Sequence, residues 1–74
     1  MAQDYDSQIG ENLRRLREEA GLPKIKLARL VHIDRRQIDH IESGQRPVRL
    51  SEMVHFANAY GMKPTEFTSR VLEW

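Results

Sequence analysis

With 74 residues and no cysteine, the chain has room for one domain near the lower size limit for a self-supporting core, and disulfides and thiolate metal cages are excluded. Its net charge is only +1, but the charge is unevenly placed: residues 24–49 hold seven basic groups against three acids, and the remainder holds five against eight. A basic centre between neutral-to-acidic ends fits a one-faced phosphate binder, and fits an ordinary solvated surface equally well.

Helical periodicity runs through almost every segment, and no stretch sustains apolar–polar alternation. Ile9, Leu13, Leu16 and Ala20 fall on one face of a first helix, which Asp6 or Ser7 can cap and Gly21 can end. Pro23 suits a helix start, and Leu27, Ala28 and Val31 give a short second helix over 24–31. His32-Ile33-Asp34 is a three-residue break. Asp34 is a good N-cap for a third helix, because its carboxylate accepts from free amides and favours the positive end of a helix. Ile38 and Ile41 form the inward stripe of that helix over 35–43, stopped at Ser43-Gly44. After a loop carrying Pro47, the residues Leu50, Met53, Val54, Phe56, Ala57 and Tyr60 form the apolar side of a fourth helix ended by Gly61. Pro64 begins a fifth, with Phe67, Val71 and Trp74 on one side. The second helix is about two turns long and marginal alone, so packing must hold it. Two short helices joined by a three-residue turn, with small Ala28 allowing close crossing, describe a helix-turn-helix unit.

The stretch 9–67 resembles the lambda-repressor/Cro-like (XRE-type) helix-turn-helix family. The segments carrying the resemblance are IGENLRRLREEAGL, LARLVHIDRRQIDHIESGQR and LSEMVHFANAYGM followed by EF. The resemblance implies an all-α, five-helix domain filling 1–74, with its core at 9–67 and a helix end at 68–74. It implies double-stranded DNA as partner, with a palindromic operator and no cofactor. Base contacts fall to Arg35, Arg36, Gln37 and His40, and phosphate contacts to Lys24, Gln45, Arg46 and Arg49. Arginine can grip the O6 and N7 of guanine with two bonds, which suggests a G-containing half-site; phosphate clamping is the alternative for one of the two arginines. Arg17 and Glu42 match a structural ion pair between the first and third helices. Asp39 is expected to face away from phosphate, to orient Arg35 or Arg36, or to accept from a cytosine amino group. His32 stands where the family has Gly and must adopt a left-handed conformation, which His tolerates better than most residues. Lys24 replaces the usual Gln, and Pro23 and Ile25 replace a capping residue and an acid. Ile25 is thus either exposed or turned toward a partner.

Other chemistries find little support. His32, His40 and His55 are not three or four residues apart, so no helical metal chelate exists and no metal site is expected. No phosphate-cradling glycine loop or nucleophile motif is present, and no enzyme is expected. No apolar stretch is long enough to span a membrane and residues 1–4 lack a signal-peptide pattern, so the expectation is a cytoplasmic protein. The functional expectation is a homodimeric transcriptional repressor with its third helix in the major groove, dimerised through Val71, Leu72 and Trp74. The alternative is a protein-interaction module, such as an antitoxin or restriction-modification controller, whose main partner is another protein.

Overall fold

A computed structural model describes residues 5–73, so Trp74 lies outside the described residues. Five helices follow in order: α1 (Tyr5–Glu19), α2 (Lys24–Val31), α3 (Arg35–Glu42), α4 (Leu50–Ala59) and α5 (Pro64–Val71). α1 packs on α3 and α5, α2 packs on α3 and α4, and α4 packs on α5. The helices thus close a ring around one core of Leu13, Leu16, Leu27, Val31, Ile38, Ile41, Phe56, Ala57, Tyr60, Phe67 and Val71. Tyr60 sits between Phe56 and Phe67, with ring centroids 6.1 and 5.4 Å away and the rings tilted.

The helix boundaries follow local chemistry. Asp6 and Ser7 lie inside α1 rather than at its cap, and Asp6 instead places a carboxylate in the positive first turn. α2 ends on His32 at φ 58° and ψ 40°, the left-handed conformation expected there, and the amide of His32 donates to Ala28 O. The Asp34 carboxylate caps α3 by accepting from the Arg36 amide at 2.8 Å. That helix ends at Glu42, one residue short of the expected stop, with Ser43 as its C-cap. α4 opens with half a capping box: Glu52 Oε1 accepts from the Arg49 amide at 2.8 Å. Arginine has no acceptor, so the reciprocal bond is missing.

Burial departs from expectation at three apolar residues. Leu50 and Val54, expected on the inner side of α4, are 77% and 43% exposed. Leu50 opens the helix directly after the loop, where no helix among the described residues covers it. Val71, expected at a dimer contact, is 0% exposed: its side chain completes the core where α5 docks, so it offers no surface to a partner.

Two polar or small residues inside α1 set how its neighbours approach. Gly10 faces the end of α3 so closely that a Cβ would overlap the carbonyl of Ile41 and lie 2.7 Å from Glu42 O. Asn12 is fully buried, and its Nδ2 donates to the carbonyls of Val71 and Glu73, each at 2.7 Å. The last carbonyls of a helix lack intrahelical partners, and Asn12 supplies donors that fasten the end of α5 to α1.

Candidate nucleic-acid interface

The geometry of α3 begins with an ion pair below it. Arg17 on α1 and Glu42 on α3 pair through two bonds, Nε to Oε2 at 2.7 Å and a terminal nitrogen to Oε1 at 3.1 Å. Their side chains are only 9% and 6% exposed, and Arg17 also donates to Leu22 O at 2.9 Å. A forked pair this dry orients both partners, because an unpaired charge left there would be costly. Together with Ile38 and Ile41 in the core, it holds α3 to the scaffold by its inward side.

The outward side carries the polar chemistry. Arg35 and Arg36 are exposed in the first turn, and Gln37 and His40 are half-buried. Two shallow grooves meet at Asp39: one is lined by Asp34, Arg35, Arg36 and Asp39, the other by Arg14, Lys24, Asp39, Glu42, Ser43 and Gln45. The start of α2, the outer side of α3 and the loop after it therefore share one face. The structure brings Lys24 and Gln45 together with Arg35 and Arg36 on that face.

Asp39 has a partner that the sequence did not suggest. Lys24 Nζ lies 2.6 Å from its Oδ1, bridging the start of α2 to the middle of α3. The ammonium bond holds the Asp39 carboxyl below the usual carboxylate range, against a smaller opposing effect of desolvation. Lys24, expected at a phosphate, is thus already paired in the free chain.

Arg46, expected at a phosphate, is also already paired in the free chain. Its guanidinium turns toward α3 and α4. Nε donates to Gln37 Oε1 at 2.8 Å, and the terminal nitrogens donate to Glu52 at 3.0 and 2.8 Å and to Pro47 O at 2.7 Å. This pairing, foremost the Arg46 hydrogen bonds, keeps the Glu52 carboxyl below its ordinary range. Gln45 and Arg49, on either side, are exposed. Ile25 is exposed beside Lys24.

Sequence reasoning missed Gly10, Asn12 and the inward role of Arg46. Asn12 left a signal: it interrupts the apolar face three residues after Ile9 and four before Leu16. Arg46 left none, since nothing in a loop sequence says which way an arginine turns. Among the described residues, no cluster of three His, Cys, Asp or Glu could hold a metal ion, and no helix is long and apolar enough to cross a membrane.

Comparison with known proteins places this geometry in a family. The family model described as a helix-turn-helix domain matches residues 8–69. Among solved structures, the chain is similar to the restriction-modification controller protein C.AhdI from Aeromonas hydrophila, at 36% identity and a TM-score of 0.76. That match covers 82% of this chain and 92% of that chain. Its fold is also similar to that of the clp gene regulator ClgR from C. glutamicum, with a TM-score of 0.80 at 17% identity over 96% of this chain and 91% of that one. No curated protein sequence matches the chain. The order of the five helices, the turn at His32 and the match over 8–69 lead to one assignment: the chain belongs to the lambda-repressor/Cro-like helix-turn-helix family of DNA-binding transcription regulators.

Proposed function

We propose that the chain is a sequence-specific double-stranded DNA-binding regulator that acts as a homodimeric repressor, with α3 in the major groove. The observation carrying this reading is the exposed pair Arg35 and Arg36, in the first turn of a helix fixed from behind by the Arg17–Glu42 pair. Arginine in that place can read guanine through two bonds, while Lys24 and Gln45 on the same side, and the exposed Arg49, meet phosphates. Lys24 does so by exchanging the Asp39 carboxylate for a phosphate oxygen. His40, one turn further along α3, extends the base-reading set. Two copies related by a twofold axis would place their α3 helices about one DNA turn apart, roughly 34 Å, on a palindromic operator.

A fluorescence titration against a duplex selected from a random pool tests this. The Arg35→Ala, Arg36→Ala double variant is expected to lose on the order of tenfold in affinity for the selected duplex, along with its sequence preference. Unchanged affinity and preference would remove α3 from the groove.

A second reading concerns the genes controlled. The 36% identity spanning 92% of C.AhdI favours a controller of restriction-modification genes. Its check is genomic: endonuclease and methyltransferase genes beside this one, with the selected site upstream of them, are the expected finding.

A further inference from the structure

The Arg46 cluster contains more than a loop anchor. Arginine has donors only, so the end of the Gln37 amide that faces it must be the carbonyl, and the orientation of that amide is fixed by chemistry. Nε2, with its two donors, is left at the opposite end, and no described residue accepts from it. Arg46 is itself held. Glu52 accepts from it with both oxygens, and Glu52 Oε1 also accepts from the Arg49 amide at the start of α4. A side chain on the outer side of α3 is therefore oriented through Arg46 by the first turn of α4.

We propose that Arg46 is a positioning residue for base reading. By holding Gln37 Oε1, it makes Gln37 present its amino group to the groove. Gln37 then selects a base edge that offers acceptors, guanine O6 and N7 or thymine O4. Adenine is disfavoured, because its pairing with glutamine uses the amide oxygen and nitrogen together and that oxygen is shared with Arg46. The inference rests on the DNA-binding reading above, and it separates from the family expectation for Arg46. A phosphate contact uses only the charge of Arg46, whereas positioning uses the guanidinium fork, and lysine keeps the first and loses the second.

The experiment uses the full chain as wild type, Arg46→Lys, Arg46→Met, Glu52→Gln, Gln37→Ala and the Arg46→Lys, Gln37→Ala double variant. Each is checked by circular dichroism, then titrated against the selected duplex and its single-base variants over a salt series. Gln37→Ala identifies the base pair that Gln37 reads. At that base pair, Arg46→Lys is expected to cut discrimination on the order of tenfold while leaving the salt slope unchanged, and to have no further effect once Gln37 is alanine. Glu52→Gln frees the guanidinium without removing it and is expected to act in the same direction, which keeps the test open if Arg46→Lys does not fold. The proposal is overturned if the folded variants keep full discrimination there, if wild type selects adenine there, or if Gln37→Ala alters no position. It is also overturned if Arg46→Met weakens all sequences alike and makes the salt slope shallower by about one, the mark of a phosphate contact. Absence of any DNA binding by wild type would instead overturn the proposed function, and this inference with it.

Discussion

Tyr60 shows how a single core side chain ties the stability of this fold to pH. Its phenol is buried between Phe56 and Phe67, 3.4 Å from the Leu13 carbonyl to which it donates. Burial, reinforced by the nearby Glu42 carboxylate, pushes its ionisation well above the ordinary tyrosine value near 10. The folded state therefore holds this proton more tightly than the unfolded chain does. The resulting stability is fully present below about pH 10 and is lost as pH rises beyond it. Relative to a Tyr60→Phe variant, denaturant titrations should show wild type losing about 1.4 kcal/mol per pH unit in that range. A constant difference would mean that the phenol is not buried in solution. At the same scale, the Arg17–Glu42 pair and the left-handed turn at His32 were both legible from the family resemblance, the latter because His32 stands where the family has Gly. The Lys24–Asp39 and Arg46–Gln37 pairs were not. Each joins residues 15 and 9 positions apart in sequence, and long side chains with several rotamers leave no periodic trace.

At the scale of helices, the approach of α1 to α3 depends on the missing side chain of Gly10. Adding a methyl there forces it against the carbonyls of Ile41 and Glu42, backbone atoms that cannot rotate away. Gly10→Ala is expected to cost about 1–3 kcal/mol by overpacking, lowering the melting temperature by roughly 4–8 °C or more for a domain of this size. A thermal melt followed by circular dichroism checks it, and an unchanged midpoint would mean that the helices do not cross at Gly10. From the sequence, close crossing was expected within the helix-turn-helix, at the small residue Ala28. The crossing at Gly10 lies outside that motif and was missed. All five helices were legible from periodicity and punctuation, since Gly21, Gly61, Pro64 and Asp34 mark ends by local chemistry alone. Packing was less so: Leu50 and Val54 follow the apolar pattern of α4, but the described residues leave them 77% and 43% exposed.

For the molecule as a whole, the question is how two copies would meet. Val71 is withdrawn into the core, whereas Leu72 beside it is 51% exposed, at the end that Asn12 fastens to α1. Under the dimer reading, Leu72→Asp and Trp74→Ala are each expected to shift the population toward monomer in sedimentation velocity at micromolar concentration. Circular dichroism should show no loss of helix. If neither substitution changes the sedimentation coefficient, the tail is not the contact. The candidate DNA-facing side was legible from the family resemblance and not from charge alone, which fits a solvated surface equally well; of the seven basic residues in 24–49, Lys24, Arg35 and Arg36 line its two grooves. How far those charges are already satisfied was not legible, because it depends on contacts between α2, α3 and α4 that exist only after folding.

The bond from Arg46 to Gln37 has a consequence for how such a protein changes over time. If Gln37 faces the groove as proposed, a base-reading residue is oriented by one in a loop and, through Glu52, by one on the next helix, so positions 37, 46 and 52 form a single unit of inheritance. Substitutions within such a unit are not additive, and a change at one alters what is tolerated at the others. Transplanting only the outward residues of α3 onto a related scaffold would carry Gln37 across without the partners that aim it. A lineage drifting toward a new operator therefore has two routes here, exchanging the reader itself or altering what holds it.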